Sequence, residues 1–411
     1  MSVLHGAGME YAEFLATKER LWSGCGIPDP QPWPGLYPFQ QAITRWALRK
    51  GRAAIFADTG LGKTRMQLAW AAQIPGRVLI LAPLCVEPQT IAEGVAIGIE
   101  VAEIGQGARI EITNYERLHR VRPQDYAGVD LDESSILKAY DGKTRTALIR
   151  AFRATPYRLC CTATPAPNDI AELANHCEFL GVMTRAEMLA TFFVHDDAGW
   201  RLKGHAHDAF YRWLASWGLF MRRPSDLGFD DAGYLLPPLE IHEEVVTADA
   251  IPGDMLFPGM NLGGIGGRLA VRRDTVKLRS DAAIARIEAT PGQWIVWCGL
   301  NIEQDTIAAA LRDAVSVEGQ DDEQDKRDRI AAFLRGYVRV LVTKPRIAGF
   351  GLNLQPCTQM AFLGLGDSYE QYYQAIRRCW RFGQQRPVKV HVIVSDHETE
   401  IVTNVRRKER E

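Results

Sequence analysis

Two hydrophobic patterns alternate over the first 180 residues. Short apolar runs, AAIFA (53–57), RVLILA (77–82), GVDLD (128–132) and RLCCT (158–162), predict buried strands. Between them, amphipathic stretches at 63–73, 87–96, 144–154 and 169–179 predict helices. Strands that read as continuous apolar runs are covered on both faces, which is the signature of a parallel sheet in an α/β domain. From about 183 the pattern changes. HDAFYRWLASWGLFMRR carries its aromatic and apolar residues at helical spacing and predicts a helical insertion, which the prolines of YLLPPLE close. Residues 251–267 are rich in Gly and Pro and read as a linker. Alternation then returns: QWIVWC (293–298), VRVLVT (338–343), QMAFLG (359–364) and VKVHVIV (388–394) predict strands, with helices over 302–314, 325–335 and 368–381. The expected organisation is an N-terminal extension (1–35), a first α/β domain (36–182), a helical insertion (183–250), a linker (251–267) and a second α/β domain (268–411). The extension holds a short amphipathic helix over 9–22 and a stiff proline-rich stretch, IPDPQPWPGLYP.

Composition narrows the class. With 411 residues, 46% of them hydrophobic, the chain has ample material for two cores, and disorder is excluded. Lys+Arg number 48 against 50 Asp+Glu, so a polycation is excluded as well. The near-zero total conceals patches of opposite sign: 371–411 holds nine Lys/Arg against five Asp/Glu, and 303–328 holds three against nine. No apolar run reaches membrane-spanning length, and the first twenty residues lack the features of a secretory signal. The eight scattered cysteines, without a C-x-x-C pair, suit reduced thiols in a cytoplasmic protein with no membrane contact.

The candidate chemistry starts at ADTGLGKT (57–64), which follows a predicted strand and precedes a predicted helix. This is the context of a phosphate-binding loop, with Ala57 in the position usually held by its first glycine. Gly60 and Gly62 permit the backbone turns that aim N–H groups at a triphosphate, and the helix that follows adds its positive end. Lys63 would neutralise β- and γ-phosphate oxygens, and the Thr64 hydroxyl would ligate Mg²⁺. About 70 residues on, Asp132 and Glu133 end a strand. Asp132 is the candidate for holding the metal and Glu133 for polarising the attacking water. In QAIRRCWRFGQ (374–384), Arg377, Arg378 and Arg381 are expected on one short helix, with Arg378 and Arg381 sharing a face as candidate arginine fingers. AGFGLNLQ (348–355) is a Gly-rich turn able to meet nucleotide or nucleic acid, and TATP (162–165) is a hydroxyl-bearing strand end.

In this order, the motifs resemble those of superfamily 2 helicases, and within them the Swi/Snf-type DNA translocases, most of all their compact phage and prophage members. The resemblance covers about 36–395. It rests on LYPFQ, ADTGLGKT, LAPLCV, DESS, TATPAPNDIAELANHCEFLG, FMRRPSDL, VEGQDDEQDKRDRIAAFL, GFGLNLQ and QAIRRCWRFGQ. It implies two RecA-like domains with ATP and Mg²⁺ between them. Gln40 would be the Q-motif glutamine, and Thr59, Gly60, Leu61, Gly62, Lys63, Thr64, Asp132 and Gly351 would surround the nucleotide. DNA, most naturally duplex, would lie across both domains, with Pro83, Thr113, Thr162, Thr164, Asn353 and Gln374 as candidate contacts. Ser135 departs from the pattern, since His or Asp is usual there, and Asp130 interrupts the apolar run before the acidic pair.

The expected function is therefore a DNA-dependent ATPase that translocates on duplex DNA as a monomeric motor. The alternatives are a strand-separating helicase of phage replication or restriction, and a non-motor, nucleotide-gated subunit that recruits a partner enzyme. Three further features have structural or functional readings. His195, His205 and His207 lack zinc-type spacing and read as solvated or capping. Phe210, Tyr211, Trp213, Trp217 and Phe220 read as the core of the insertion rather than a base-stacking platform. Arg272, Arg273, Lys277 and Arg279 are expected on a helix, either solvated or against a DNA backbone.

Overall fold

The computed structural model describes residues 21–83, 86–138, 142–197, 199–247, 272–348, 353–366 and 368–398. The linker at 251–267, Gly351 and all but the end of the helix expected over 9–22 lie outside them. The chain divides into two compact units, 1–230 and 231–411.

The first unit is built on a seven-stranded sheet in the order β3-β4-β2-β5-β6-β1-β9. Its strands are β1 (Arg52–Ala57), β2 (Val78–Ala82), β3 (Ala102–Glu103), β4 (Ile110–Asn114), β5 (Gly128–Asp132), β6 (Tyr157–Cys161) and β9 (Gly218–Met221). Every pairing is parallel. The four strands read from apolar runs are the central ones. β4 escaped because IEITN mixes Glu111, Thr113 and Asn114 into its five buried residues. Glu111 is accommodated there by Arg77 at 2.8 Å and by the Tyr126 hydroxyl at 2.5 Å.

The region expected to be a helical insertion is mixed. It holds helices Arg185–Phe192 and His207–Ala215, the antiparallel hairpin β7 (Phe193–Asp196) and β8 (Gly199–Leu202), then β9. Helical spacing misled across WGLFM. The helix stops at Ala215, and Gly218 pairs with Ala54, so β9 extends the first sheet beside β1. Gly218 suits the close approach, because a Cβ there would sit 3.3 Å from the Phe56 ring and 3.4 Å from Leu214. Phe210, Trp213 and Trp217 are core, as their spacing indicated, whereas Tyr211 and Phe220 are exposed.

The second unit carries a six-stranded sheet, β10-β15-β14-β11-β13-β12. The strands are β10 (Leu239–Val246), β11 (Trp294–Cys298), β12 (Ala314–Ser316), β13 (Val340–Thr343), β14 (Gln359–Leu363) and β15 (Val388–Ser395). All of these pairings are parallel too. Aliphatic and aromatic side chains pack on both faces of the sheet. β10, read as part of the insertion, is an edge strand here. Two parallel sheets clothed by helices are the α/β fold class expected of tandem RecA-like domains.

Arg272 and Arg279 are drawn into this fold rather than facing solvent or DNA. The Arg279 guanidinium is fully buried and meets Glu303 at 2.8 Å and Glu398 at 3.2 Å. Arg272 donates to the Leu363 carbonyl at 2.8 Å. Arg273 and Lys277 remain exposed. Removing one partner of a buried ion pair strands the other charge. Arg279→Ala is therefore expected to destabilise the second unit by about 3–5 kcal/mol, read as a lowered denaturation midpoint. A midpoint equal to that of the parent would show the network to be dispensable.

Candidate functional site

β1, apolar and buried after Arg52, leads into the loop 57–64, and the backbone then turns twice through positive φ, at Gly60 (86°) and Gly62 (78°). Gly62 has a second reason to be glycine: a Cβ there would lie 2.3 Å from Gln40 Nε2. Gln40 is buried. Its Nε2 donates to the Leu61 carbonyl at 2.9 Å, and its Oε1 accepts from the Tyr37 amide at 2.9 Å. The glutamine thus fastens the phosphate-type loop to helix Pro38–Lys50.

Helix Lys63–Gln73 follows without a side-chain cap and with no acidic residue in its first turn. Its leading N–H groups and the positive end of its dipole therefore favour an anion. Lys63 Nζ crosses the loop and donates to the carbonyls of Ala57 (2.8 Å) and Asp58 (3.3 Å). Asp58 in turn accepts from the Thr59 amide at 2.6 Å. Leu61 is buried and pins the loop, while Thr59, Gly60 and Thr64 are partly accessible.

The neighbours β5 and β6 bring the acidic pair to the same edge, because β5, β6 and β1 are consecutive in the sheet. Gln67, one turn beyond Lys63 and Thr64, donates to Asp132 Oδ1 at 2.9 Å. This ties the start of the helix to the acidic strand end. The Tyr115 hydroxyl holds the Asp132 carbonyl at 2.6 Å. Glu133 has φ 52°, the one non-glycine residue at positive φ among those described. Its carboxylate accepts from the Thr162 hydroxyl at 3.2 Å, and Thr162 Oγ1 also accepts from the Thr164 amide at 3.1 Å. The TATP segment therefore reaches the acidic pair through Glu133. The Ser135 hydroxyl turns back towards the Glu133 carbonyl at 3.5 Å.

Asp130 shares the strand face of Asp132, two residues on. It is fully buried. Burial, followed by the charge of Asp132, pushes its pKa well above the usual carboxylate range. The interruption seen in the apolar run is thus a carboxyl group sealed behind the site. Thr64 and Asp132 offer the oxygen donors that a hard cation such as Mg²⁺ prefers, next to a loop suited to phosphates.

In the second unit, the arginine segment differs from the helix expected. The helix spans Tyr369–Ile376, and Arg377, Arg378 and Arg381 follow in successive turns. Arg378 Nε takes the Gln374 carbonyl at 3.2 Å, and the Leu354 amide takes the Arg378 carbonyl at 3.0 Å, so the chain is pulled out of helical register. Arg377 is buried against the Trp380 ring at 4.9 Å. Arg378 is also buried, and its Nη2 donates to Gln374 Oε1 at 2.7 Å. Arg381 is the most accessible of the three.

The candidate DNA contacts separate. Pro83 is partly accessible at the end of β2, and Asn353 is exposed. Thr113 is enclosed within β4, and Gln374 is enclosed by the Arg378 contact, so neither offers a surface to a ligand. Thr162 and Thr164 are buried and serve the acidic pair. Three residues that hold the site went unread in the sequence: Gln67, Tyr115 and His176, whose Nε2 lies 3.2 Å from Ser134 Oγ. Gln67 could have been found from its place one turn after Lys63. Tyr115 and His176 leave no local signal, because they arrive from other strands and helices.

Residues 284–383 match the helicase conserved C-terminal domain family. No curated protein matches the chain. Among solved structures, the chain is similar to the SWI2/SNF2 ATPase core of Sulfolobus solfataricus in complex with dsDNA. The identity is 18% and the TM-score 0.45, with 90% of each chain covered.

Proposed function

We propose that this chain is a superfamily 2, Swi/Snf-type motor that hydrolyses ATP and translocates on duplex DNA. The observation that carries the proposal is the meeting of three strand ends in the first unit. The phosphate-type loop follows β1, the Asp132–Glu133 pair ends β5, and Thr162 follows β6. Crevices beyond the carboxyl ends of parallel strands are where such sheets bind ligands.

In this reading, the N–H groups around Gly60 and Gly62 and the Lys63 ammonium hold the triphosphate. Thr64 and Asp132 would hold Mg²⁺, which when bound offsets phosphate charge. Glu133 accepts a proton from the attacking water. Arg381 stabilises charge on the transferring phosphoryl group. Arg378 supports that segment through Gln374.

The second unit supplies support for an anionic partner. A cavity of about 440 Å³ opens beside the ends of β11, β13 and β14, and Lys344 and Arg346 line it together with Gly299 and Gly364. Arg272, also on its wall, is already engaged by Glu303 and Glu398. No carboxylate is among its described lining residues. Phosphate contacts of this kind are indifferent to sequence, so a preferred site on DNA would have to come from a partner.

The test is the ATPase rate without nucleic acid and with single strands, duplex DNA or RNA, each at two salt concentrations. Duplex DNA is expected to stimulate most, and the stimulation should fall steeply as salt rises, because bound phosphates release counterions. Selective stimulation by RNA would overturn the reading. Displacement of a third strand from a triplex without unwinding of a fork would favour translocation over strand separation.

A further inference from the structure

We propose that His176 is a positioning residue for Glu133, acting through Ser134; this rests on the reading of Glu133 as the base in ATP hydrolysis. Glu133 stands in the left-handed region, which costs a residue with a Cβ. Such a conformation persists only where the surroundings over-determine it. Several of the restraints come from one connected segment, the chain from β6 into helix Leu173–Leu180.

At its start, Thr162 binds the Glu133 carboxylate at 3.2 Å. Further along, consecutive residues of the helix grip the turn that follows Glu133. His176 Nε2 lies 3.2 Å from Ser134 Oγ. Asn175 Nδ2 donates to the carbonyls of Leu137 (2.8 Å) and Lys138 (3.1 Å). Ser134 and His176 are both fully buried, so water cannot replace either partner. The imidazole also meets the Phe56 ring edge-on at 5.3 Å, which fixes it against the strand that delivers the phosphate-type loop. Burial pulls the His176 pKa down to about 4, so the ring is neutral near pH 7 and one nitrogen can accept from the serine. His176 thus sits between two parts of the site without being within reach of substrate, which makes its role one of aim.

The test uses Ser134→Ala, His176→Phe, His176→Gln, the Ser134→Ala/His176→Phe double variant and Glu133→Gln in the full chain. Ser134→Ala and His176→Phe are each expected to lower kcat on the order of 10-fold to 100-fold, as a misaimed catalytic group does. KM for ATP should stay within about twofold in both. His176→Gln, which keeps a polar partner for Ser134, should recover most of kcat. The double variant should be no worse than the poorer single, since both remove one contact. Ser134→Ala deletes only one buried oxygen and keeps the test available if the ring replacement does not fold. Unchanged kcat in Ser134→Ala while Glu133→Gln is inactive would overturn the positioning role alone. Additive losses in the double variant, or losses that follow thermal stability with KM and kcat moving together, would overturn it too. Retained turnover in Glu133→Gln would remove the base on which it rests.

Discussion

Replacing Lys63 by alanine is expected to lower ATP turnover by at least ~10²-fold, and by ~10³-fold if the ammonium acts as other charge-stabilising donors do. The physical case is local. The Lys63 ammonium is held over the loop by two backbone carbonyls, those of Ala57 and Asp58. Both belong to the strand-to-loop segment that Gly60 and Gly62 bend through positive φ. A triphosphate placed there would meet a full positive charge and the uncapped N–H groups of helix Lys63–Gln73. Alanine keeps the N–H groups and removes the charge. It should also keep the fold, because Lys63 is only partly buried and its side chain lies over the loop rather than in the sheet core. The check is a steady-state ATPase assay alongside thermal denaturation followed by circular dichroism. Turnover within tenfold of the parent, with folding intact, would remove Lys63 from the chemistry and with it the reading of the loop as a triphosphate site.

Arg381→Ala is expected to lower kcat on the order of 10³-fold with little change in stability, the loss seen when an arginine finger is withdrawn. Arg378→Ala should behave differently, although the two residues looked equivalent in the sequence. The Arg378 guanidinium is buried and holds both the backbone and the side chain of Gln374. Its loss would strip the donors from Gln374 Oε1 and the Gln374 carbonyl in the interior, so the second unit should denature more easily. Arg381 is more accessible than either neighbour. The pair of variants therefore separates catalysis from support. If Arg378→Ala lost activity at full stability while Arg381→Ala kept near-normal turnover, the finger role would pass from Arg381 to Arg378.

Legibility in the sequence followed the source of each signal. The strands AAIFA, RVLILA, GVDLD and RLCCT were readable because a strand covered on both faces must be apolar throughout. β4 was hidden because its polar residues are satisfied, or at least enclosed, by neighbours that come from elsewhere in the chain. β9 was hidden because aromatic residues at helical spacing continue past the point where the helix stops, and only pairing with β1 turns that segment into a strand. β10 was hidden because LEIHEEVV carries several charged residues on a half-exposed edge strand, and only pairing with β15 defines it. The arginines of QAIRRCWRFGQ were readable as chemistry but not as geometry. Their departure from the helix depends on Leu354, which is distant in sequence.

The sequence by itself determined the two α/β units and the loop Ala57–Thr64, whose glycines and lysine have few other uses in that order. It also determined the acidic pair that follows a strand. These are local demands, met by residue type and spacing alone. Only the tertiary structure decided which polar residues face a ligand and which are enclosed. It took Thr113 and Gln374 into the interior, used Arg279 as the hub of a buried ion network, and set Gln40 to fastening the loop. It also brought Gln67, Tyr115 and Thr162 onto Asp132 and Glu133, and His176 onto the adjoining Ser134. The reason is that parallel strands adjacent in a sheet are separated in sequence by whole helices. The groups that surround the acidic pair are therefore neighbours in space although no spacing in the chain marks them as such.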